Sequence, residues 1–412
     1  AGNAGARVGR HSCRQGRTAA RLLYRGAVAV VASPALRLSV FYFAYFAHLG
    51  AYVAYFSLWL EARGYSPAVI ASVLAVPAVL RIAAPALWGW LAERIAARLP
   101  GGAASLLALC CALAAASFAM LGQASDLNAV FLWISLTALF SSGVLPLVDA
   151  MALAALGASS GAYGPVRLWG SIGFIASVMA AGAWLERAPV TVVLPLVAAL
   201  MLIAALSALG LPHIRAAPPQ EEPRGALQLL REPRVAAFFA ACFCMTVAHG
   251  ALYAFFSIYL VDAGYSTTTV GVLWTLGVLA EIAVFLWLPA LMQRLSLRTI
   301  LLASFAAAGV RFLAIGWAVD LLAVLVLAQL LHGLTFGAYH AAAVAAVHRL
   351  FGGALAVRGQ ALYASLSYGL GGVAGMLLSG WAWGAFGPQV AFAASAGFGL
   401  LGGLLIASKF RL

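Results

Sequence analysis

The chain is 412 residues long, 65% hydrophobic and only 8% charged, with a formal net charge of +13. Soluble domains are about a quarter charged, so a water-soluble enzyme or a nucleic-acid-binding domain is excluded. Apolar runs of about twenty residues recur along the chain, long enough to cross a bilayer as helices. They lack the period-2 alternation of barrel strands, so the chain reads as about twelve membrane-spanning helices.

Residues 1–37 carry Arg7, Arg10, Arg14, Arg17, Arg21, Arg25 and Arg37 and no acid. This stretch is expected to be a disordered cytoplasmic tail; a transit peptide or a lipid-surface anchor has the same composition. Span 1 runs from about Val40 to Leu60 and span 2 from about Pro67 to Leu91. Span 3 lies near 102–122 and span 4 near 128–155, span 5 starts near Tyr163, and span 6 ends by about Leu211. Pro146 inside span 4 is expected to bend it. Residues 212–233 form the one long polar linker, rich in proline and mixed in charge. Spans 7 and 8 follow, and spans 9 to 12 fall near 299–317, 320–347, 359–382 and 388–408. The expected domains are therefore the tail (1–37), a first six-helix half (38–211), the linker (212–233) and a second half (234–412).

One stretch occurs twice. Residues 48–82 and 248–282 align with an offset of 200, which places Gly50, Phe56, Ser57, Leu60, Gly64, Tyr65, Ser66 and Ile82 on Gly250, Phe256, Ser257, Leu260, Gly264, Tyr265, Ser266 and Ile282. Each copy is an apolar run, a Gly-Tyr-Ser break and a second apolar run, which reads as a helix hairpin. At one point the copies differ in charge: Arg81 stands where Glu281 stands. Repeated halves of this kind suit a carrier whose substrate site lies near the midplane between them.

Most charges sit in short loops, and the two sides differ. One side holds the tail, Arg94, Arg98, Arg215, Arg224, Arg231, Arg234, Arg294, Arg298, Arg349, Arg358, Lys409 and Arg411. The other holds Glu61, Arg63, Asp126, Glu186, Arg187, Asp262 and Asp320. The positive-inside rule makes the basic side cytoplasmic and puts both termini there. Cys110, Cys111, Cys242 and Cys244 lie inside apolar runs without zinc-ligand spacing, so they read as small packing residues.

The segment after span 2, with Gly89, Glu93, Arg94 and Arg98, resembles the loop signature of the major facilitator superfamily between spans 2 and 3. It departs at Glu93, where the family prefers Asp, and at Ala96, where it prefers Gly. The blocks around Pro146–Ala150, Tyr163–Ser171 and Leu273–Glu281, and the run from Gln329 through His332 to His340, resemble the 3-phenylpropionate permease-like group, a relative of the lactose permease-type proton symporters. The resemblance covers nearly everything after about residue 38. It implies an all-α membrane fold of twelve helices in two pseudo-symmetric six-helix halves, and a transporter rather than an enzyme.

Ionisable groups within spans are costly and are candidates for function. These are Arg81, Asp149 and Arg167 in the first half and Glu281, Arg311, His332 and His340 in the second. Glu281, Arg311 and His332 fall at a common depth on spans 8, 9 and 10. This resembles the proton-coupling set of lactose permease-type symporters, although Thr335 stands where those carry a glutamate. Proton coupling is thus assigned to Glu281, His332, Arg311 and Asp149, with Asp149 and Arg167 as a gate or salt bridge. A plain buried Glu281–Arg311 salt bridge is the structural alternative.

Arg81 is the candidate anion binder, because a guanidinium pairs bidentately with a carboxylate. Tyr52, Tyr55, Phe56, Tyr253 and Trp274 are candidates to pack an aromatic ring. His48, His249 and His340 complete the candidate substrate set. The expected function is proton-coupled uptake of a small organic acid, 3-phenylpropionate or a relative, by a monomer in a bacterial inner membrane. Protons are the coupling ion, and no metal or other cofactor is expected. The alternatives are a sugar or nucleoside symporter of the same fold, or a non-transporting membrane sensor.

Overall fold

The computed structural model describes residues 33–95, 98–157, 161–212 and 226–410. The basic tail before Ser33 and residues 213–225 of the linker lie outside them. The described residues form twelve long helices and no strand. They are α1 (Pro34–Ala62), α2 (Pro67–Ile95), α3 (Ala103–Gly122), α4 (Leu127–Leu156), α5 (Tyr163–Leu185) and α6 (Val190–Ala208). After the linker come α7 (Pro233–Asp262), α8 (Thr267–Arg294), α9 (Leu297–Trp317), α10 (Leu322–Phe351), α11 (Ala356–Phe386) and α12 (Pro388–Lys409). Eleven are apolar and long enough to cross a membrane, and α2 contributes the shorter apolar stretch Pro67–Ile82.

The repeated break works as the residue types require. Gly64 and Gly264 end α1 and α7 at φ +75° and +89°, a left-handed turn that only glycine adopts without strain. Ser266 then caps α8, its side chain accepting from the Thr269 amide at 3.2 Å. Ser33, Asp126 and Ser296 cap α1, α4 and α9 in the same way. These hairpin tips define one face of the molecule; the arginine-rich loops define the other. On the basic face, Arg37 donates to Gly210 O at the end of α6, and Arg298 donates to Ala407 O near the end of α12. Cations there complement the negative ends of the helices.

In lipid, helices associate by close packing rather than by escape from water, so small residues decide where backbones meet. The repeated glycines show it. A Cβ on Gly50 of α1 would lie 2.6 Å from Phe174 O of α5. One on Gly250 of α7 would lie 2.2 Å from Gly375 O of α11. The same glycine of each repeat therefore lets the first helix of its half close onto the fifth.

Proline breaks α4 as expected, but one turn early. Helical geometry lapses at Gly143, between Leu127–Ser142 and Val144–Leu156, because Pro146 has no N–H for the preceding turn and its ring crowds that turn's carbonyl. Leu139 O instead takes bonds from Ser142 Oγ and from the Trp88 indole of α2, each at 2.7 Å.

The halves meet at the hairpin face. Thr267 of α8 donates to Gly182 O of α5 at 2.7 Å, and Tyr55 of α1 donates to Val178 O and to Thr267 O. At the end of α5, the hydroxyls of Thr268 and Ser266 hold the exposed Glu186 carboxyl below the usual carboxylate range. On the other side of the molecule, a Cβ on Gly380 of α11 would lie 2.3 Å from Ala71 of α2. One buried apolar cluster accordingly runs through both halves, from Tyr55 and Ile70 through Val178 to Phe256 and Phe392. A second, with Leu38, Trp88, Val148 and Met201, belongs to the first half alone.

Candidate transport site

Arg81 of α2 and Glu281 of α8 occupy corresponding places in the two hairpins. Arg81 is exposed and Glu281 half-buried. Both charges lie within electrostatic reach of the Tyr253 and Tyr368 hydroxyls. The halves thus bring a cation and a carboxyl near the same pair of tyrosines, Tyr253 of α7 and Tyr368 of α11, and this shared space is the candidate site. Arg167 of α5 is a cation within reach of Glu281.

Two stretches of wide, π-helical turn build the far wall. They span Gly333–Ala338 in α10 and Ala364–Gly371 in α11. Such turns carry an extra residue and often mark functional positions. In α10 the cause is close approach: a Cβ on Gly333 would lie 2.7 Å from Ala280 O, and one on Gly337 3.4 Å from Glu281 Cγ. In α11, Gly369 takes the side chain of Ile82, the neighbour of Arg81. The two stretches bring His340 and Tyr368 together, with Nδ1 2.9 Å from the hydroxyl and the Tyr363 hydroxyl 3.5 Å from both. Phe336 stacks between His332 and His340.

Arg311 of α9 is buried, 1% exposed. Its Nε donates to Ala328 O at 3.0 Å, one terminal nitrogen to His332 Nδ1 at 3.0 Å and Thr335 Oγ1 at 3.1 Å, and the other to Gln329 Oε1 at 3.0 Å. The expected trio of Glu281, Arg311 and His332 is thus only partly assembled. Arg311 and His332 meet, but no ion pair joins Glu281 to Arg311 among the described residues. The register of α8 explains the separation: His332 packs on Gly277, and Glu281 lies one turn further along. Arginine can only donate, so His332 Nδ1 accepts. Protonating that nitrogen would break the bond and set two cations side by side.

In the first half, Asp149 of α4 accepts from Tyr42 at 2.5 Å and Tyr163 at 3.2 Å. Arg167 lies over the rings of Phe46 and Tyr42, 4.1 and 5.3 Å from their centroids. Asp149 and Arg167 therefore flank Tyr42 from different sides instead of forming the expected salt bridge. Asp149→Leu leaves both tyrosine hydroxyls without their acceptor, at about 1–3 kcal/mol for a buried group. A lower Tm is expected for Asp149→Leu, and one close to wild type for Asp149→Asn, which still accepts. Thermal unfolding of the purified variants checks both.

Comparison with known proteins agrees with this architecture. The MFS_1 like family model matches residues 35–394. The chain belongs to this family of major facilitator transporters. The probable 3-phenylpropionic acid transporter of Escherichia coli (strain K12) is 33% identical over 337 residues, 81% of this chain and 86% of that one. The maltose permease of Geobacillus stearothermophilus is 36% identical over 152 residues, 36% of each chain. The crystal structure of a mutant of the nucleoside transporter NupG superposes with a TM-score of 0.82 at 20% identity, over 92% of this chain and 100% of that one.

Within this transporter several candidate residues lie away from the shared space. Tyr55 ties α1 to α5 and α8 at the seam. Phe56 is fully buried, stacked between Tyr52 and Trp59. Tyr52 packs on Phe118, and its buried hydroxyl has no hydrogen-bond partner among the described residues. Trp274 donates to Ser257 at 3.0 Å, pairing the repeat's serine with the second helix of its own hairpin. His48 bonds the Tyr45 carbonyl of its own helix and packs on Phe118. Tyr55, Phe56, Tyr52 and His48 lie on α1, one of the two most buried helices, whereas Trp274 of α8 stacks on Tyr253 and so borders the shared space. His249 bonds Met245 O at 2.8 Å and lies beside His332, and so joins the Arg311 group. In the loop motif, Arg94 stacks on Trp90 at 4.5 Å and Arg98 is exposed; the side chains of Gly89 and Glu93 are outside the described set.

Tyr363, Tyr368 and Gln329 were missed as site residues. Their signal was the glycine spacing in α10 and α11, Gly333 with Gly337 and Gly369 with Gly371 and Gly372. Glycines within spans mark places where another chain segment comes close.

Proposed function

We propose that this transporter imports a small organic acid, 3-phenylpropionate or a related aromatic acid, together with protons. The carrying observation is the charge asymmetry of the repeat: Arg81 and Glu281 occupy corresponding positions, with Glu281 packed on Gly337 of α10 and Ile82, next to Arg81, packed on Gly369 beside Tyr368 of α11. Arg81 receives the substrate carboxylate, Tyr253 and Tyr368 flank it, and Glu281 takes up and releases the coupling proton as the halves rock about the site. His332 is committed to Arg311 and holds the neighbouring helices in register. The 33% identical relative supports the aromatic-acid class. The basic face is taken as cytoplasmic, which orients the transporter in a bacterial inner membrane with both termini inside.

A second reading is a sugar or nucleoside symporter, in which Arg81 donates to hydroxyls. The maltose permease relative and the likeness to NupG favour it. Proteoliposomes decide between them. With an inward proton gradient, labelled 3-phenylpropionate is expected to accumulate, and excess maltose or uridine is expected not to compete. Gradient-driven accumulation of maltose or uridine, with none of the acid, would replace the first reading by the second.

A further inference from the structure

Arg311 presents a charge problem that the transport site as described does not solve. A guanidinium buried in a membrane protein is costly, and a partner of opposite charge offsets that cost more fully than neutral acceptors do. Arg311 is 1% exposed, and its four hydrogen-bond partners are a carbonyl, an imidazole, a hydroxyl and an amide, all neutral as they stand. No carboxylate pairs with it among the described residues. Of its five N–H groups, one on the nitrogen facing Gln329 is left over.

An independent observation lies beside it. The Gln329 Nε2 amide, on a residue 2% exposed, has no hydrogen-bond partner among the described residues. Buried polar atoms are ordinarily satisfied. Gln329 spends its oxygen on Arg311 and leaves its donor free, beside the spare guanidinium hydrogen. Two donors and a net positive charge converge there; His249, whose Nδ1 donates to Met245 O, packs beside them 6.4 Å from His332, ring centre to ring centre.

Access is also laid out. The Tyr253 ring stacks on His249 and on Trp274, at 6.0 and 6.2 Å. Its hydroxyl is within electrostatic reach of Arg311 as well as of Arg81 and Glu281. Tyr253 therefore neighbours the Arg311 group through His249 and is the residue that links that group to the shared space.

We propose that Arg311 and Gln329 form a monoanion subsite in the second half of the transporter, distinct from Arg81. It takes a single small anionic group, either chloride or the carboxylate of the transported acid. The carboxylate arm rests on the organic-acid reading above; the chloride arm does not.

The test is thermal unfolding of the purified full chain in detergent. Sodium chloride and sodium 3-phenylpropionate are titrated separately against sodium gluconate at constant ionic strength. In the wild type, one of them is expected to raise Tm saturably, by a few °C at roughly 100 times its Kd. Gln329→Glu is the decisive variant. It keeps Arg311 and adds a carboxylate where the amide now lies 3.0 Å away, so it should start at a higher Tm and lose the anion response. Arg81→Gln should keep a chloride response unchanged, while a 3-phenylpropionate response should shift to higher concentration, because Arg81 is assigned the substrate carboxylate.

Saturation by chloride assigns an inorganic anion, and saturation by 3-phenylpropionate alone assigns the substrate carboxylate. The subsite is overturned if neither anion acts saturably, if the response survives in Gln329→Glu, or if Arg81→Gln removes a chloride response. A chloride response in a protein that carries no 3-phenylpropionate would remove the organic-acid reading and leave the subsite standing.

Discussion

Glu281→Gln is expected to abolish accumulation of the acid against its gradient while sparing its exchange across the membrane. Glutamine has the shape of protonated glutamate and cannot release a proton, so the variant resembles a carrier fixed in its loaded form. The side chain packs against Gly337 and takes part in no ion pair among the described residues, so the substitution orphans no charge. For one proton per monoanion, each unit of inside-alkaline pH difference supports about tenfold accumulation, the ratio that 1.4 kcal/mol sustains. Wild-type vesicles should approach that ratio, and Glu281→Gln vesicles should level off at equal concentrations on both sides. Counterflow of labelled against unlabelled acid should continue in both. His332→Gln is the informative control: glutamine can still accept from Arg311, so coupling should survive. Loss of coupling in His332→Gln with retention in Glu281→Gln would return the proton to the histidine.

Helix content and order were legible in the sequence because they rest on local quantities. Apolar run length marked the spans, and the Gly-Tyr-Ser break contained both the helix stop at Gly264 and the cap at Ser266. The kink at Pro146 was legible for the same reason, although its break falls at Gly143, where the missing hydrogen bond is felt. Side-chain direction was not legible. Tyr55, Phe56, His48 and Tyr253 share two equivalent helices, yet Tyr55 bonds α5 and α8 at the seam while Tyr253 stacks on His249 and Trp274. An apolar helix in lipid has no polar face to reveal which side looks inward. Depth along the membrane placed Glu281, Arg311 and His332 together; the close contact of His332 with Gly277 sets which pair forms. The π-helical turn of α10 sits where its glycines meet α8, and that of α11 where Gly369 meets Ile82 of α2, tertiary contacts that no window on one helix contains.

Arg81→Gln is expected to raise KM for the acid by about 10- to 150-fold, the loss of a hydrogen bond to a charged group worth about 1.5–3 kcal/mol. Arg81→Lys should fall in between, since an ammonium keeps the charge and loses the two-pronged geometry. Stability should change little, because Arg81 is exposed and forms no ion pair among the described residues. Initial uptake rates against acid concentration measure the effect, and the methyl ester of 3-phenylpropionate supplies the control. A neutral ester has no carboxylate to lose, so its binding should be indifferent to Arg81. If the acid's KM is unchanged in Arg81→Gln, the carboxylate is held elsewhere, and Arg311 is the cation left within reach of Tyr253 in the second half. The two arginines then separate by their surroundings. Arg81, open to the shared space, can be removed without disturbing the fold, whereas Arg311, enclosed by four hydrogen-bond partners, cannot be removed without leaving those partners unpaired.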